Sequence, residues 1–321
     1  MKPFAFVFPG QGSQSVGMLD AWGDHPVVAL TLKEASDALG EDLGKLIREG
    51  PKEALALTTN TQPVMLVAAI AAYRVWMSEV GIAPQMVAGH SLGEYSALVA
   101  AGVLTLTQAT PLVRFRAEAM QQAVPVGAGA MAAVLGMDAA KVTQLCSEVT
   151  RMMRADGAGN QDEVVEAVNF NDPSQTVIAG SKAAVEKACE VLKAQGAKRA
   201  LSLPVSAPFH SSLMRPAADR LRQRLDDTEF ASPTIALVNN IDVALEVDAD
   251  KIRNALYRQA FGPVRWVECV QAVKSRQITT VVECGPGKVL SGLVKRIDPE
   301  MVGLPLFDSA SLAAVKDHLS A

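Results

Sequence analysis

Hydrophobic positions along this chain keep two rhythms, and the rhythms alternate. Short runs that are apolar at nearly every position, Phe4 to Phe8 and Met86 to Ala88, predict buried strands. Longer apolar stretches with helical spacing follow them, Val64 to Val80 and Leu92 to Ala101. Strand and helix in alternation predict a parallel sheet covered by helices. The helix after Thr61 carries Pro63 in its first turn and stops before Gly81, and its alanine-rich faces predict burial on more than one side.

Between Gly129 and Leu203 the order changes. Ala130 to Leu135 reads as strand, Asp138 to Val149 as helix, Val164 to Phe170 and Thr176 to Ala179 as strands, Ser181 to Ala194 as helix and Arg199 to Leu203 as strand. That is βαββαβ, a ferredoxin-like unit. Gly127-Ala128-Gly129 marks its entry, and Arg151 to Asp162, rich in Gly, Asp and Asn, reads as an exposed loop within it. After Pro204 the α/β pattern resumes with strands at Thr234 to Val238 and Thr279 to Cys284. The predicted division is a large α/β domain from 1–127 and 204–321, with a small domain, 128–203, inserted. Gly285-Pro286-Gly287-Lys288 reads as a strand-turn-helix corner, because the spacing and the hydroxyl residue of a phosphate loop are missing.

Composition narrows the class. The 321 residues are 49% hydrophobic, enough to bury a sizeable core. A net charge of −4 and the lack of basic runs argue against nucleic acid as a partner. The first apolar stretch is too short for a signal peptide, and Val64 to Met77, interrupted by Arg74, falls short of a membrane span. A cytoplasmic protein with no membrane association is expected. Cys146, Cys189, Cys269 and Cys284 lie far apart, without metal spacing, so neither a disulfide framework nor a zinc site is predicted.

The chemistry centres on Gly89-His90-Ser91-Leu92-Gly93, at the junction of a predicted strand and helix. This is the form of a nucleophile elbow, in which a sharp turn lifts one serine clear of the sheet. Ser91 and Glu94 equally fit a capping box, so the pentapeptide alone leaves both readings open. A serine nucleophile needs a base, and His210, in the Pro-bounded loop Ser206-Ala207-Pro208-Phe209, is the best of four histidines. His25 and His318 sit in polar surroundings, and His90, the serine's neighbour, points elsewhere. Serine before histidine is the chain order of hydrolases on this architecture, but no acidic third member is identifiable.

Thr107 to Ala123 reads as a helix, with Leu112, Ala119, Met120 and Ala123 on one stripe. Arg116 lies on that stripe, and Arg114 does not. A guanidinium on an apolar face needs a partner, either a structural carboxylate or a bound ligand's carboxylate. Phe8 to Gln14, after the first strand, is rich in small residues and offers backbone N–H groups to a reacting oxygen.

Taken together the chain resembles the malonyl-CoA:acyl carrier protein transacylases and the acyltransferase domains of polyketide and animal-type fatty acid synthases. Gly10-Gln11-Gly12-Ser13-Gln14, Gly89-His90-Ser91-Leu92-Gly93-Glu94, Arg114-Phe115-Arg116, Asn169-Phe170-Asn171, Pro208-Phe209-His210 and Gly285-Pro286-Gly287 carry the resemblance. The fold it implies is a large α/β-hydrolase-like domain with the ferredoxin-like domain inserted. It implies that Ser91 attacks the thioester, that His210 is its base and that the N–H groups of Gln11 and Leu92 hold the oxyanion. A backbone carbonyl at Gln259 would orient His210, and Arg116 would clamp the malonyl carboxylate, with Gln11, Phe209, Met120 and Asn169 around the substrate. Phe209 and Leu92 would crowd an α-methyl branch. The substrate would be a coenzyme A thioester, the partner acyl carrier protein bearing phosphopantetheine, the cofactors none and the protein a monomer. The alternatives are a serine thioesterase or esterase, or loading of a different acyl unit. The stretch from Arg151 to Asp162 is longer than is usual in the family.

Overall fold

Phe4-Ala5-Phe6-Val7-Phe8 is buried at every position, so both faces of this strand meet apolar surface. Phe4, Phe6 and Phe8 point to one side, where Phe4 and Phe6 stack edge-on against Trp76 with centroids 5.6 Å away and Phe6 against Tyr73 at 5.9 Å. Ala5 and Val7 point to the other, among Trp266, Val270 and Val281. A period of two thus feeds two separate layers of core from one strand.

The computed structural model describes residues 1–155, 163–205 and 207–321. Its strands are β1 (Phe4–Phe8), β2 (Met86–Gly89), β3 (Gly129–Leu135), β4 (Val165–Asp172), β5 (Gln175–Ser181), β6 (Arg199–Ser202), β7 (Ala236–Val238), β8 (Thr280–Cys284) and β9 (Val302–Leu306). Its helices are α1 (Pro26–Leu39), α2 (Leu43–Glu49), α3 (Lys52–Ala56), α4 (Thr58–Glu79), α5 (Gly93–Ala100), α6 (Leu106–Gln121), α7 (Ala139–Ala155), α8 (Lys182–Ala194), α9 (Arg215–Asp226), α10 (Ala249–Gln259), α11 (Trp266–Ser275), α12 (Val289–Ile297) and α13 (Ser309–Ser320).

The first sheet runs β7-β2-β1-β8-β9, parallel throughout. The second runs β4-β5-β3-β6, antiparallel throughout, with α7 and α8 in the two crossovers. This is the predicted α/β class with a ferredoxin-like second sheet. One face of that sheet has its own core with α7 and α8, around Val134, Leu145, Ile178 and Leu192. Its other face, through Met131, Val168 and Val177, joins the main core. The backbone of β4 is tied to the loop after α10 by Phe170 N–H to Val264 O at 3.0 Å and Val264 N–H to Val168 O at 2.8 Å.

Several boundaries differ from the sequence reading, among them those of α4, α6 and α7. α4 begins at Thr58, so Pro63 sits inside it instead of in its first turn. Burial of Thr58, Thr61 and Gln62 carries the helix back through a polar run whose propensity does not favour it. α6 spans Leu106–Gln121 because Thr105 and Gln108 close a capping box one residue earlier than read. α7 continues to Ala155, so Arg151 to Ala155 are helical where a loop was expected. The Thr150 hydroxyl, paired with the Val165 backbone, and the Arg154 side chain, bonded to Glu163 O, tie that last turn to β4. The rest of the expected loop, 156–162, lies outside the described residues.

The glycines predict opposite outcomes. A Cβ on Gly93 would lie 2.0 Å from the Phe8 carbonyl oxygen, whereas one on Gly292, in α12, meets nothing within 4 Å. Gly93→Ala should lower stability by about 1–3 kcal/mol. Gly292→Ala should raise it by up to about 1 kcal/mol. Thermal unfolding of the two variants checks both signs.

Candidate active site

β2 ends at Gly89 and the chain is helical again by Gly93. Ser91 takes the unusual backbone of the turn, with φ +53°, a left-handed conformation that serine adopts under constraint. The flanking glycines answer a need for closeness. A Cβ on Gly89 would lie 1.9 Å from the Gly93 carbonyl, and one on Gly10 2.7 Å from the His90 carbonyl. Small residues therefore let the loop after β1, the end of β2 and the start of α5 meet backbone to backbone.

Asn240, just past β7, braces this turn. Its Oδ1 accepts the Ser91 N–H at 2.7 Å, its Nδ2 donates to the Gly89 carbonyl at 2.7 Å, and its own N–H donates to Glu94 Oε2 at 2.9 Å. The capping box is not formed. Glu94 accepts from Asn240 and from Gln259 Nε2 at 3.0 Å, and the Ser91 hydroxyl faces away from its helix.

That hydroxyl lies 2.6 Å from His210 Nε2. His210 Nδ1 lies 2.8 Å from the main-chain oxygen of Gln259. A carbonyl can only accept, so Nδ1 carries the hydrogen and Nε2 keeps its lone pair for the serine proton. His210, at φ +66°, is 4% exposed. Burial first, then the charge of Arg116, push its pKa down to about 3, against the pull of the Gln259 carbonyl. The imidazole is neutral and able to accept a proton.

Arg116 is 1% exposed, on the stripe of α6 where spacing puts it. Nη1 donates to Gln62 Oε1 at 2.9 Å, and Nη2 donates to Gln259 Oε1 at 3.0 Å and to Ser91 Oγ at 3.2 Å. The Tyr95 ring lies 5.5 Å from the guanidinium carbon, and Nε has no partner among the described residues. Burial pulls its pKa down, but a guanidinium keeps its charge. Among the described residues no carboxylate bonds to Arg116, so the structural ion pair left open by the sequence is not there. Arg114, by contrast, pairs with Glu41 at 2.6 Å.

Gln11, His90, Ser91, Arg116, Met131, Asn169, Leu203, Val205, Phe209 and His210 line a cleft of about 130 Å³. A hollow of about 320 Å³ shares Gln11, His90, Asn169 and Leu203 with it. The structure thus brings together Ser91, His210, Gln259, Arg116, Gln11, Phe209 and Asn169. Two expected residues lie elsewhere: the side chains of Met120 and Leu92 are buried in the main core and do not line the cleft. Met120 is drawn there by the same apolar stripe that carries Arg116. His90 turns away, its Nε2 2.8 Å from Asn171 Oδ1 and its ring against Trp266. His25 pairs with Glu79, and His318 lies beside Thr280.

Sequence reasoning missed Asn240 and Gln62, and gave Glu94 a capping role in place of the one it has here. The signals were present: polar residues in otherwise buried surroundings, Gln62 in α4, Glu94 in α5 and Asn240 at a strand end. A larger hollow of about 610 Å³, lined by Asp20, His25, Lys33, Asp42 and Arg48 among others, shares no residue with the cleft. Among the described residues no group of three or more His, Cys, Asp or Glu could hold a metal ion, and no helix is long and apolar enough to cross a membrane.

A serine raised on a strand-to-helix turn, paired with a neutral histidine and a buried arginine, defines a serine-dependent acyl-transfer enzyme on an α/β fold. Residues 5–297 match the family described as "Acyl transferase domain", and the chain belongs to that family. It is 50% identical over 315 residues to a protein named malonyl CoA-acyl carrier protein transacylase from Escherichia coli K12, covering 98% of this chain and 99% of that one. A Bacillus subtilis protein of the same name is 42% identical over 313 residues, 97% and 96% of the two chains. The crystal structure of an acyl-carrier-protein S-malonyltransferase from Burkholderia pseudomallei matches with TM-score 0.93 and 60% identity over all of both chains. A malonyl-transacylase in complex with a type II polyketide synthase acyl carrier protein matches with TM-score 0.94 and 48% identity, over 99% of this chain and 100% of that one.

The depressed basicity of His210 sets a pH dependence. The unfolded chain takes up a proton on this histidine below about pH 6.5, and the native chain refuses it until about pH 3. His210 therefore favours unfolding progressively as the pH falls through that interval. NMR of the His210 ring should show no titration between about pH 8 and pH 5; a midpoint near pH 6.5 would contradict the neutral pair.

Proposed function

We propose that the chain transfers a malonyl group from malonyl-CoA to the phosphopantetheine thiol of an acyl carrier protein through a malonyl-Ser91 intermediate. The observation that carries this reading is the Arg116 guanidinium, buried among neutral partners with Nη2 3.2 Å from the nucleophilic oxygen. A carboxylate next to the reacting carbonyl would supply the missing negative charge, and Arg116 can grip it with two parallel N–H groups.

Ser91 Oγ attacks the thioester carbon while His210 Nε2 takes its proton. Charge gathers on the former carbonyl oxygen, where the backbone N–H groups of Gln11 and Leu92 would receive it. Among the described residues, neither of these N–H groups donates to another protein atom. Each such donor is worth about 2.7–4 kcal/mol of barrier in comparable sites. Collapse of the intermediate expels the coenzyme A thiolate, and His210 returns the proton to it. The carrier's thiol then repeats the sequence in reverse roles, with His210 as its base. The hollow continuing past Gln11 and Asn169 would take the pantetheine arm common to both thioesters. Phe209, lining the cleft, limits room for a branch beside the carbonyl; Leu92 supplies its N–H and not its side chain.

This chemistry needs no cofactor of the enzyme's own. Four cysteines outside any disulfide fit a reducing compartment such as the cytoplasm.

Intact-mass measurement after mixing with malonyl-CoA should show a malonyl adduct, absent in Ser91→Ala, that is discharged by acyl carrier protein bearing its thiol. Arg116→Ala should lower malonyl transfer by about 100-fold or more, as expected for lost charge-assisted hydrogen bonds, while sparing acetyl transfer. Release of free malonate independent of the carrier would identify a hydrolase instead, and equal loss on both acyl groups would make Arg116 structural.

A further inference from the structure

The transfer described above leaves unused a buried acid at the edge of the site. Glu94 opens α5, is 1% exposed, and takes the Asn240 N–H and the Gln259 Nε2 on the same oxygen, Oε2. The other atom of that amide, Gln259 Oε1, accepts from Arg116. A single amide separates carboxylate from guanidinium, with its oxygen toward the cation and its nitrogen toward the anion. Its orientation is the one that couples the two charges.

The groups that face Glu94 are few. Arg116, from α6, favours the charged form. Asp242, after β7, opposes it, but is itself paired with Arg258 at 2.5 Å. Tyr95 on the same helix and Cys269 on α11 stay neutral, since burial raises the phenol to about 12 and the thiol well above its usual range. His210 is neutral as well. Burial is the strongest influence and pushes the Glu94 carboxyl up to about 7, against Gln259, Asn240 and Arg116. Near neutral pH the acid is balanced between its two forms, and the guanidinium is its only facing cation among these groups.

We propose that Glu94 takes up one proton from solvent when the malonyl carboxylate settles on Arg116, and releases it when the malonyl group leaves. No covalent bond to carbon changes in this step; a proton moves from buffer to a carboxylate oxygen and back. Two carboxylates cannot share one buried guanidinium without raising the pKa of one of them, and Glu94 is the one without a direct contact to the cation. It acts as a positioning residue, supplying the countercharge that Arg116 lacks while the site is empty. The inference rests on the malonyl reading.

The test is calorimetric titration of the full-length Ser91→Ala protein with malonyl-CoA, in buffers of different ionisation enthalpy. Net proton uptake on malonyl-CoA binding is expected at and above neutral pH, where Glu94 is ionised in the empty site, and is expected to fall away as the pH drops below it. Acetyl-CoA, which lacks the carboxylate, should bind without uptake. Adding Glu94→Gln should abolish the uptake and flatten the pH dependence of malonyl-CoA affinity. Should that double variant fail to fold, the comparison of malonyl-CoA with acetyl-CoA in the parent decides alone. Malonyl-CoA binding with no uptake, or uptake that survives Glu94→Gln, would overturn the proposal. Equal affinity for malonyl-CoA and acetyl-CoA would overturn the malonyl reading itself, which keeps the two failures distinct.

Discussion

Gln259 holds both halves of the site at once. Its main-chain oxygen fixes the tautomer of His210, while its side-chain oxygen takes the Arg116 guanidinium and its amide nitrogen reaches the Ser91 carbonyl and Glu94. Being fully buried at the end of α10, it cannot exchange these partners for water. Without it the His210 Nδ1–H would lose its acceptor, and a buried polar group left unpaired costs about 1–3 kcal/mol. The nucleophile, its base and the arginine are thus placed relative to one another by one residue, whose position is set by packing of a helix. An acidic third member would fix the histidine's tautomer too, but would place a second negative charge near Arg116. A neutral carbonyl orients the ring and leaves the guanidinium free for an anionic ligand.

The elbow is held by the opposite device, contact without side chains. Gly10, Gly89 and Gly93 allow three backbone segments to approach within distances that no Cβ would permit. That closeness forces Ser91 into its left-handed conformation, and the resulting strain is offset by the five hydrogen bonds that Asn240 and Gln259 make to Gly89, Ser91 and Glu94. The glycine spacing in the sequence is therefore a statement about packing at a strand-helix corner, and the serine's reactivity follows from where that packing leaves its hydroxyl.

This division explains what the sequence made legible. Period-two and period-3.6 patterns gave the second sheet, four of the five strands of the first, and the helices α4, α5 and α6, because their apolar faces are wide and continuous, while α1 and β9 were not read. The arginine on an apolar stripe and the serine between glycines were readable for the same reason: each violates a local pattern. Helices such as α9, with four arginines among twelve residues, gave no comparable signal and were not predicted. Asn240 and Gln62 were missed, and Glu94 was read as a cap, because Asn240 and Glu94 lie 146 residues apart and Gln62 and Arg116 54, and no local rule connects them. Met120 packs into the main core and is not among the residues lining the cleft. It lies one helical turn from Arg116 on the same buried stripe of α6.

Charge links the two halves of the chemistry further. Arg116 is among the causes that hold His210 far below the usual basicity of imidazole. In the empty site this keeps the base neutral and its hydrogen bond to Ser91 intact, but it also makes the imidazole a weak acceptor of the serine proton. A carboxylate seated directly on Arg116 lies closer to it than Glu94 and opposes that influence more strongly, so the basicity of His210 rises when the group to be transferred is in place. A neutral acyl chain in the same cleft leaves Arg116 only the Glu94 carboxylate, held off behind the Gln259 amide, and the base stays weak. Selectivity for an acid-bearing acyl group then resides in the rate of the proton transfer as well as in binding, and it comes from a cation within reach of the nucleophile instead of from the shape of the cleft alone.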